Sequence, residues 1–237
     1  MKSTVSDSAC VLITGGSRGI GRACCDALAV AGIDTVSLSR SPPVDLPTRE
    51  THYCVNLEDL TDTGNTIKRV LEAHPITAVI CNAGRGDIGS LENFSSQQIQ
   101  ASLTLNLISP LCIVRLCLPT LRKRDRSDIV FIGSTSALQG GRYGTIYSAA
   151  KFGLRGIAQA LSYEVAGANC HVGIVHPGMV RTGFFDTLSF KPGPNDAHAL
   201  HAQEVADAVL SMLNTPDNTV ISELVVQPRQ HVVQKQQ

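Results

Sequence analysis

Residues 10–31 read CVLITGGSRGIGRACCDALAVA and are followed by Gly32. The apolar run 10–13 predicts a β-strand, and the alanine-rich pattern 22–31 predicts a helix. The glycines between them allow a sharp turn and a close approach of a phosphate, and the start of a helix attracts anions. The G-x-x-x-G-x-G spacing differs from the dinucleotide fingerprint, so an ordinary glycine-rich turn is also compatible with this stretch.

Strand patterns alternate with helical patterns along the rest of the chain. Strands are predicted over residues 34–38, 52–55, 77–81, 128–132, 170–175 and 219–226, and helices over 60–73, 96–123, 146–165 and 203–213. Pro110 and Pro119 predict a bend or break in the long helical region. The alternation predicts an α/β fold, a Rossmann-type doubly wound parallel sheet of about seven strands, in a single domain over residues 1–237.

Charge, cysteine usage and hydropathy narrow the class of protein. Lys plus Arg and Asp plus Glu both number 20, so no global field favours nucleic acid or an anionic membrane. The eight cysteines show no C-x-x-C and no Cys/His ligand spacing, which predicts reduced thiols and no metal site. The N-terminus carries no apolar segment, and no later segment is expected to reach membrane-spanning length. We therefore expect a cytoplasmic protein with neither a nucleic-acid nor a membrane partner.

A phenol and an ammonium fall on one face of the helix predicted over 146–165. Tyr147 and Lys151 are four residues apart, and a nearby positive charge lowers the pKa of a phenol. Such a phenol can exchange a proton near neutral pH, although surface Tyr/Lys pairs are also common. Ser134 follows the fifth predicted strand closely, so it can line the same cleft and hydrogen-bond the same carbonyl oxygen.

The glycine turn, Ser134, Tyr147 and Lys151 form a recognisable set together with Asn82-Ala83-Gly84 and the segment Pro177-Gly-Met-Val-Arg-Thr182. From about residue 11 to residue 228, the chain resembles the short-chain dehydrogenase/reductase family, single-domain and carbonyl-reductase-like in type. The resemblance implies that residues 14–21 hold the cofactor pyrophosphate. The implied cofactor-binding residues are Gly15, Ser17, Arg18, Gly19, Ile20, Gly21, Arg40, Asn56, Leu57, Asn82, Ala83, Gly84, Tyr147, Lys151, Pro177, Gly178, Val180 and Thr182.

The resemblance also implies a catalytic set of Asn106, Ser134, Tyr147 and Lys151. Ser134 would orient and polarise a substrate carbonyl, and Tyr147 would be the acid/base. Lys151 would lower the pKa of Tyr147 and hold the nicotinamide ribose. Asn106 would kink its helix and hold a water in a proton relay, whereas a helix asparagine in general more often bonds its own backbone or faces solvent.

The cofactor implied is NADP(H). A basic residue after the second strand favours the 2′-phosphate, and Arg40 stands there, with Arg18 in the glycine turn able to reach the same place. Two solvated arginines are the alternative. Asn56 stands where the family usually has an aspartate against the adenine amino group, and an amide oxygen can still accept that bond.

The resemblance places a mobile substrate loop at about residues 183–200, where phenylalanines either roof an apolar pocket or pack on the core. We therefore expect an enzyme that interconverts a small-molecule carbonyl and an alcohol. A non-catalytic dinucleotide-binding redox sensor is the main alternative. A sugar-nucleotide epimerase or dehydratase fits less well, because those enzymes generally carry a larger C-terminal domain. The resemblance also implies a homodimer or homotetramer, formed through the helices around 103–121 and 148–166.

Overall fold

Seven parallel strands form the central sheet in the computed structural model, which describes residues 9–236. Its strands are β1 (Cys10–Thr14), β2 (Asp34–Ser39), β3 (Glu50–Cys54), β4 (Ile76–Cys81), β5 (Ser127–Ile132), β6 (Cys170–Pro177) and β10 (Glu223–Val226). Three short strands lie between β6 and β10 along the chain and do not belong to this sheet. Those three are β7 (Val180–Arg181), β8 (Phe190–Pro192) and β9 (Leu200–His201), and β11 (Val233–Lys235) lies near the end of the chain. The predicted single-domain α/β fold is confirmed. The remaining residues of the predicted range, 1–8 and 237, lie outside the described part.

The strand order is β10-β6-β5-β4-β1-β2-β3, so the direction of winding reverses between β1 and β4. Thr14 ends β1 and Cys81 ends β4, and the two strands pair in parallel through Ile13 and Ile80. In open sheets of this kind a crevice forms beyond the carboxyl ends at the reversal. The glycine turn after β1 and Asn82 after β4 therefore meet at this crevice.

The helices of the described residues are α1 (Gly19–Val30), α2 (Leu60–Ala73), α3 (Ser96–Leu103), α4 (Ser109–Leu121), α5 (Thr145–Glu164) and α6 (Ala202–Leu213). All except α3, which packs on α5, cover the two faces of the sheet. Successive strand side chains point to opposite faces. In β1, Leu12 packs with the cluster of α2, α4 and α5, whereas Val11 and Ile13 pack with α1 and α6. The inner strands β1, β4, β5 and β6 are buried on both faces, which explains their largely apolar sequences.

The helical region predicted over 96–123 is divided differently from the expectation. Its interruption is a wide helical turn at Thr104–Ile108, between α3 and α4. Pro110 lies in the first turn of α4, directly after this wide turn, and its missing N–H cannot bond a carbonyl of that turn, whereas α4 continues through Pro119 without a break. Within the wide turn the side chain of Asn106 also donates to the carbonyl of Ser102 at 3.0 Å.

Smaller differences concern the ends of elements. Helix α1 begins at Gly19 rather than at residue 22, so the last glycines of the turn already belong to the helix. The strand predicted over 219–226 is ordered as a strand only over Glu223–Val226, because Thr219 closes a turn onto Pro216.

The expectation that no segment reaches membrane-spanning length was wrong. The helical run Ser96–Leu121 is long and apolar enough to cross a membrane by length and composition, and 44% of its most apolar window is buried inside the protein. Core helices of globular proteins pass the same test, and Ile113, Val114 and Cys117 of this run are buried in the sheet-face cluster.

Candidate active site

A large pocket of about 860 Å³ opens at the carboxyl edge of the sheet, where the winding reverses. Every residue that the sequence predicts for the site lines this pocket except Gly21. The lining also includes residues that sequence reasoning missed, among them Ser39, Ser41, Glu58, Arg85, Thr135, Arg142, His231 and Val233.

The glycine turn has a shape that other residues would disturb. Gly15 and Gly19 have φ angles of +73° and +60°, a region that favours glycine. A Cβ on Gly21 would lie 2.2 Å from the carbonyl oxygen of Gly15 and 2.5 Å from Nδ2 of Asn82, so Gly21 shapes the turn from behind the pocket. No side chain caps the start of α1, which leaves its first N–H groups directed at the pocket. This cradle fits the diphosphate of a dinucleotide.

Asn82 and Thr14 tie the ends of β1 and β4 together. The Thr14 hydroxyl accepts hydrogen bonds from the backbone N–H groups of Asn82 and Ala83, each at 3.0 Å. The Asn82 amide donates in return to the carbonyls of Thr14 at 2.9 Å and Gly15 at 3.3 Å. The glycine turn is thus fixed against the neighbouring strand.

Asn106 is buried and its amide is fully engaged. Its Oδ1 accepts from the N–H of Arg85 at 3.2 Å, and its Nδ2 donates to the carbonyls of Arg85 at 3.2 Å and Ser102 at 3.0 Å. It therefore holds the wide turn of the helix and the loop after β4 at once. The guanidinium of Arg85 in turn pairs with Glu58 and with Asp87 at 2.9 Å, so its charge is balanced within the pocket wall.

Ser134 follows β5 with an extended backbone, and its Oγ accepts from the N–H of Ser136 at 3.1 Å. Its carbonyl accepts from Nδ1 of His176, a fully buried side chain of β6, at 3.0 Å. The carbonyl can only accept, so this contact places the His176 proton on Nδ1. Burial lowers the pKa of His176, against the opposing effect of Glu223, whose Oε1 lies 3.1 Å from Nε2. The histidine thus supports the backbone of the serine.

Tyr147 and Lys151 lie on the buried side of α5. The sequence predicts a lowered phenol pKa, but in this structure burial raises the pKa of Tyr147 to about 12, against a smaller opposing effect of a hydrogen bond with Ser134. The Lys151 Nζ lies 5.6 Å from the centre of the Tyr147 ring and donates to the carbonyl of Ile132 at 2.8 Å. Burial lowers the pKa of Lys151 to about 8. Desolvation is therefore the dominant effect on the pKa of the phenol.

The two predicted arginines also belong to the pocket, and Nη1 of Arg18 lies 3.8 Å from the place that a Cβ on Gly183 would take. Arg18 and Arg40 both line the pocket, and neither forms an ion pair with an acidic side chain within residues 9–236. The backbone at Arg40 is held by the thiol of Cys54, which donates to the Arg40 carbonyl at 3.0 Å. The Asn56 Oδ1 already accepts from the N–H of Glu58 at 3.2 Å and retains a second lone pair.

Beside Tyr147 the pocket is apolar. Phe184 lies 5.8 Å from the Tyr147 ring, Phe185 lies 5.3 Å from Phe184, and Phe190 lies 5.8 Å from Phe185, measured between ring centres. All three phenylalanines line the pocket, and Phe185 also packs in a small cluster with Met179, Leu188 and Ala199. The sequence left open whether the phenylalanines line an apolar pocket or pack on the core, and Phe185 does both. His231 and Val233 complete this wall from the end of the chain, where no local pattern indicates a site.

Comparison with known proteins agrees with this geometry. The sequence profile of the short chain dehydrogenase family matches residues 9–192, and the chain belongs to this family. A 3-ketodihydrosphingosine reductase of Bacteroides thetaiotaomicron is 29% identical over 192 residues, which cover 80% of this chain and 71% of that protein. A 3-oxoacyl-[acyl-carrier-protein] reductase, FabG, of Buchnera aphidicola is 30% identical and covers 75% of each chain.

Solved structures show the same fold. An alcohol dehydrogenase from Thermococcus sibiricus, complexed with 5-hydroxy-NADP, superposes with a TM-score of 0.81 at 23% identity, over 94% of this chain and 99% of that one. A serine dehydrogenase complexed with NADP+ superposes with a TM-score of 0.80 at 19% identity, over 92% and 94%. Family membership and the two reductases similar in sequence make the protein an NAD(P)-dependent oxidoreductase.

Proposed function

We propose that this protein uses NADP(H) to interconvert a carbonyl and a secondary alcohol by hydride transfer, with Tyr147 as the acid/base. The observation that carries the proposal is the convergence of Ser134, Tyr147 and Lys151 on the pocket that also contains the glycine turn. A pocket that only binds a dinucleotide needs no buried proton donor beside a substrate cavity.

The proton chemistry follows from the burial of the side chains. When bound, the reduced nicotinamide supplies the hydride. A phenol with a pKa of about 12 is protonated at neutral pH, so Tyr147 donates its proton to the carbonyl oxygen as the alcohol forms. The Ser134 hydroxyl orients that oxygen, and the Lys151 ammonium, held on the Ile132 carbonyl, favours the phenolate that remains. Asn106 completes the proposed set by fixing the pocket wall through Arg85.

The choice of NADP(H) rests on charge. Arg18 and Arg40 are guanidiniums without an acidic partner in the described part of the chain, and a forked guanidinium suits a 2′-phosphate. No acidic side chain stands directly after β2, where one would bind a ribose 2′-hydroxyl, because Arg40 and Ser41 occupy that place. The solved relatives described as NADP complexes agree with this choice.

The decisive experiment follows reduced-nicotinamide absorbance with a panel of carbonyl compounds. Tyr147→Phe is expected to lower kcat/KM by about 10²–10⁴-fold while NADPH binding persists, because only the proton donor is lost. Tyr163→Phe is the matched control, since Tyr163 lies on the same helix and is 84% exposed. Retained turnover in Tyr147→Phe would refute the mechanism. Tight binding by the wild type without turnover of any carbonyl would favour the redox sensor instead.

Cofactor preference is tested with Arg40→Ala. The lost charge-assisted bonds are expected to weaken NADPH binding about 10–100-fold and to leave NADH binding nearly unchanged. Arg49→Ala is the control, because Arg49 precedes β3 and pairs with Asp34 at the opposite end of the sheet, at 2.9 Å. An equal loss for both cofactors would contradict the assignment.

The proposal includes a homodimer or homotetramer formed through α4 and α5. Large apolar side chains are exposed on these helices and on the turn before them, namely Ile108, Leu111 and Phe152, each between 39% and 45% exposed. Light scattering of the purified protein tests this assembly, and a monomer at micromolar concentration would refute it. We also propose a cytoplasmic location, because all eight cysteines are free thiols.

A further inference from the structure

The last described residues pack on the proposed substrate loop. Strand β11 pairs antiparallel with β8, with Val233 opposite Pro192 and Lys235 opposite Phe190. Two further backbone hydrogen bonds extend the contact, from Gly193 to Val232 at 2.9 Å and from Gln230 to Ala197 at 2.9 Å. We call residues 229–236 the C-terminal strap.

Gln236 provides the most specific contact of the strap. Its Nε2 lies within hydrogen-bonding distance of three loop carbonyls, those of Phe185 at 2.8 Å, Leu188 at 3.2 Å and Phe190 at 3.1 Å, so one of its two N–H groups is shared between two carbonyls. Its backbone N–H donates to the Ser189 carbonyl at 2.8 Å. One side chain therefore contacts three carbonyls of one loop turn, in addition to the bond that the Leu188 N–H donates to the Phe185 carbonyl at 3.0 Å, and it fixes the backbone of both phenylalanines that flank this turn.

Close approach of the strap depends on a glycine. A Cβ on Gly193 would lie 2.9 Å from Cγ1 of Val232 and 2.3 Å from Nδ1 of His198. Gly193, directly after β8, therefore has to be a glycine, because any larger side chain would collide with the strap and with His198.

The strap is connected to the catalytic tyrosine through aromatic contacts. Gln236 holds the backbone of Phe185, Phe185 packs on Phe184, and Phe184 packs on Tyr147. His231 and Val233 of the strap themselves line the pocket on this side. The family profile ends at residue 192, so the strap lies outside the region by which the chain was assigned to its family.

We propose that the C-terminal strap holds the substrate loop closed beside Tyr147 and thereby selects carbonyl compounds that carry an aromatic or branched apolar group. This inference rests on the proposed function. The wall that such a group would contact is made of apolar side chains from the loop, the strap and the segment after β4, namely Phe184, Phe185, Phe190, Val233 and Ile88. A loop that is ordered before binding spares the substrate the entropy cost of ordering it.

The test compares Gln236→Leu with Gln234→Leu in the full chain. Both change a glutamine of the strap to the same apolar residue of similar size, but Gln234 is exposed and makes no side-chain hydrogen bond within residues 9–236. With an aryl ketone, Gln236→Leu is expected to raise KM about tenfold, from the loss of one to two net hydrogen bonds, with kcat changed less than KM. With a small aliphatic ketone, KM is expected to stay within about twofold of the wild-type value, because such a substrate contacts little of the apolar wall.

Limited proteolysis provides a readout that does not depend on turnover. Cleavage within residues 183–200 is expected to be about tenfold faster in Gln236→Leu than in the wild type or Gln234→Leu, because the loop opens more often. If the wild type shows no turnover, the proposed function fails while proteolysis still tests the contact between strap and loop. Equal cleavage rates in the two variants would refute the proposal that the strap holds the loop closed. An equal rise in KM for both ketones would overturn its role in selectivity.

Discussion

Thr14→Val is a sharp test of how the glycine turn is held. Valine has nearly the same shape as threonine, but it removes the hydroxyl that accepts from the N–H groups of Asn82 and Ala83. A buried donor left without a partner costs about 1–3 kcal/mol. Both residues are half-buried on the pocket wall, where water reaches in part, so we use the low end of this range for each. The free energy of unfolding is expected to fall by about 2 kcal/mol.

Urea denaturation followed by circular dichroism measures this loss, which corresponds to a decrease in Tm of about 4–8 °C for a chain of this size. Thr77→Val is the matched control, since Thr77 is a half-buried residue of β4 whose hydroxyl makes one long bond, 3.4 Å, to the Cys10 carbonyl. That variant is expected to change stability by less than about 0.5 kcal/mol. Equal losses of unfolding free energy in the two variants would refute the reasoning. They would show that the two hydrogen bonds accepted by the Thr14 hydroxyl contribute no more to stability than the single long bond of Thr77.

Two further predictions use the same unfolding assay. Gly21→Ala is expected to cost about 1–3 kcal/mol, because its Cβ would meet backbone atoms that cannot move aside. Gly64→Ala lies in α2, where a Cβ would make only an ordinary contact, 3.9 Å from Leu116, and it is expected to raise the free energy of unfolding by up to about 1 kcal/mol. A change of the same sign in the free energy of unfolding of both glycine variants would contradict this account. The pKa of His176 is lowered in the folded state, so the unfolded chain binds its proton first and stability is lost as the pH falls below 6.5. His176→Gln should make this pH dependence shallower, and an unchanged slope would show that the histidine titrates alike in both states.

The sequence predicts the parts of this fold that depend on local pattern. Continuous apolar runs such as the one in β4 specify buried parallel strands, and the glycines after β1 specify a tight turn wherever they occur. The candidate catalytic residues are recognisable for a similar reason. Their side chains follow strand ends or share one helix face, so the positions that converge in the pocket are fixed by the topology.

The remaining features depend on contacts between distant segments. The wide turn at Thr104–Ile108 has an apolar helical sequence, and it is marked by the bonds that Asn106 makes to Ser102 and Arg85. The raised pKa of Tyr147 reflects how completely the tertiary structure excludes water, which the spacing to Lys151 does not reveal. The strap is separated from Phe185 by about fifty residues, and no local periodicity announces such a contact.

The reversal of winding between β1 and β4 has a consequence for how this protein can change. The chain leaves β1 towards the face covered by α1 and leaves β4 towards the face covered by α4, so the crevice between them is created by the path of the backbone. Replacing side chains along its rim alters what it admits, but the opening itself persists as long as the two strands remain neighbours. New selectivity can therefore arise at the rim without the fold being rebuilt.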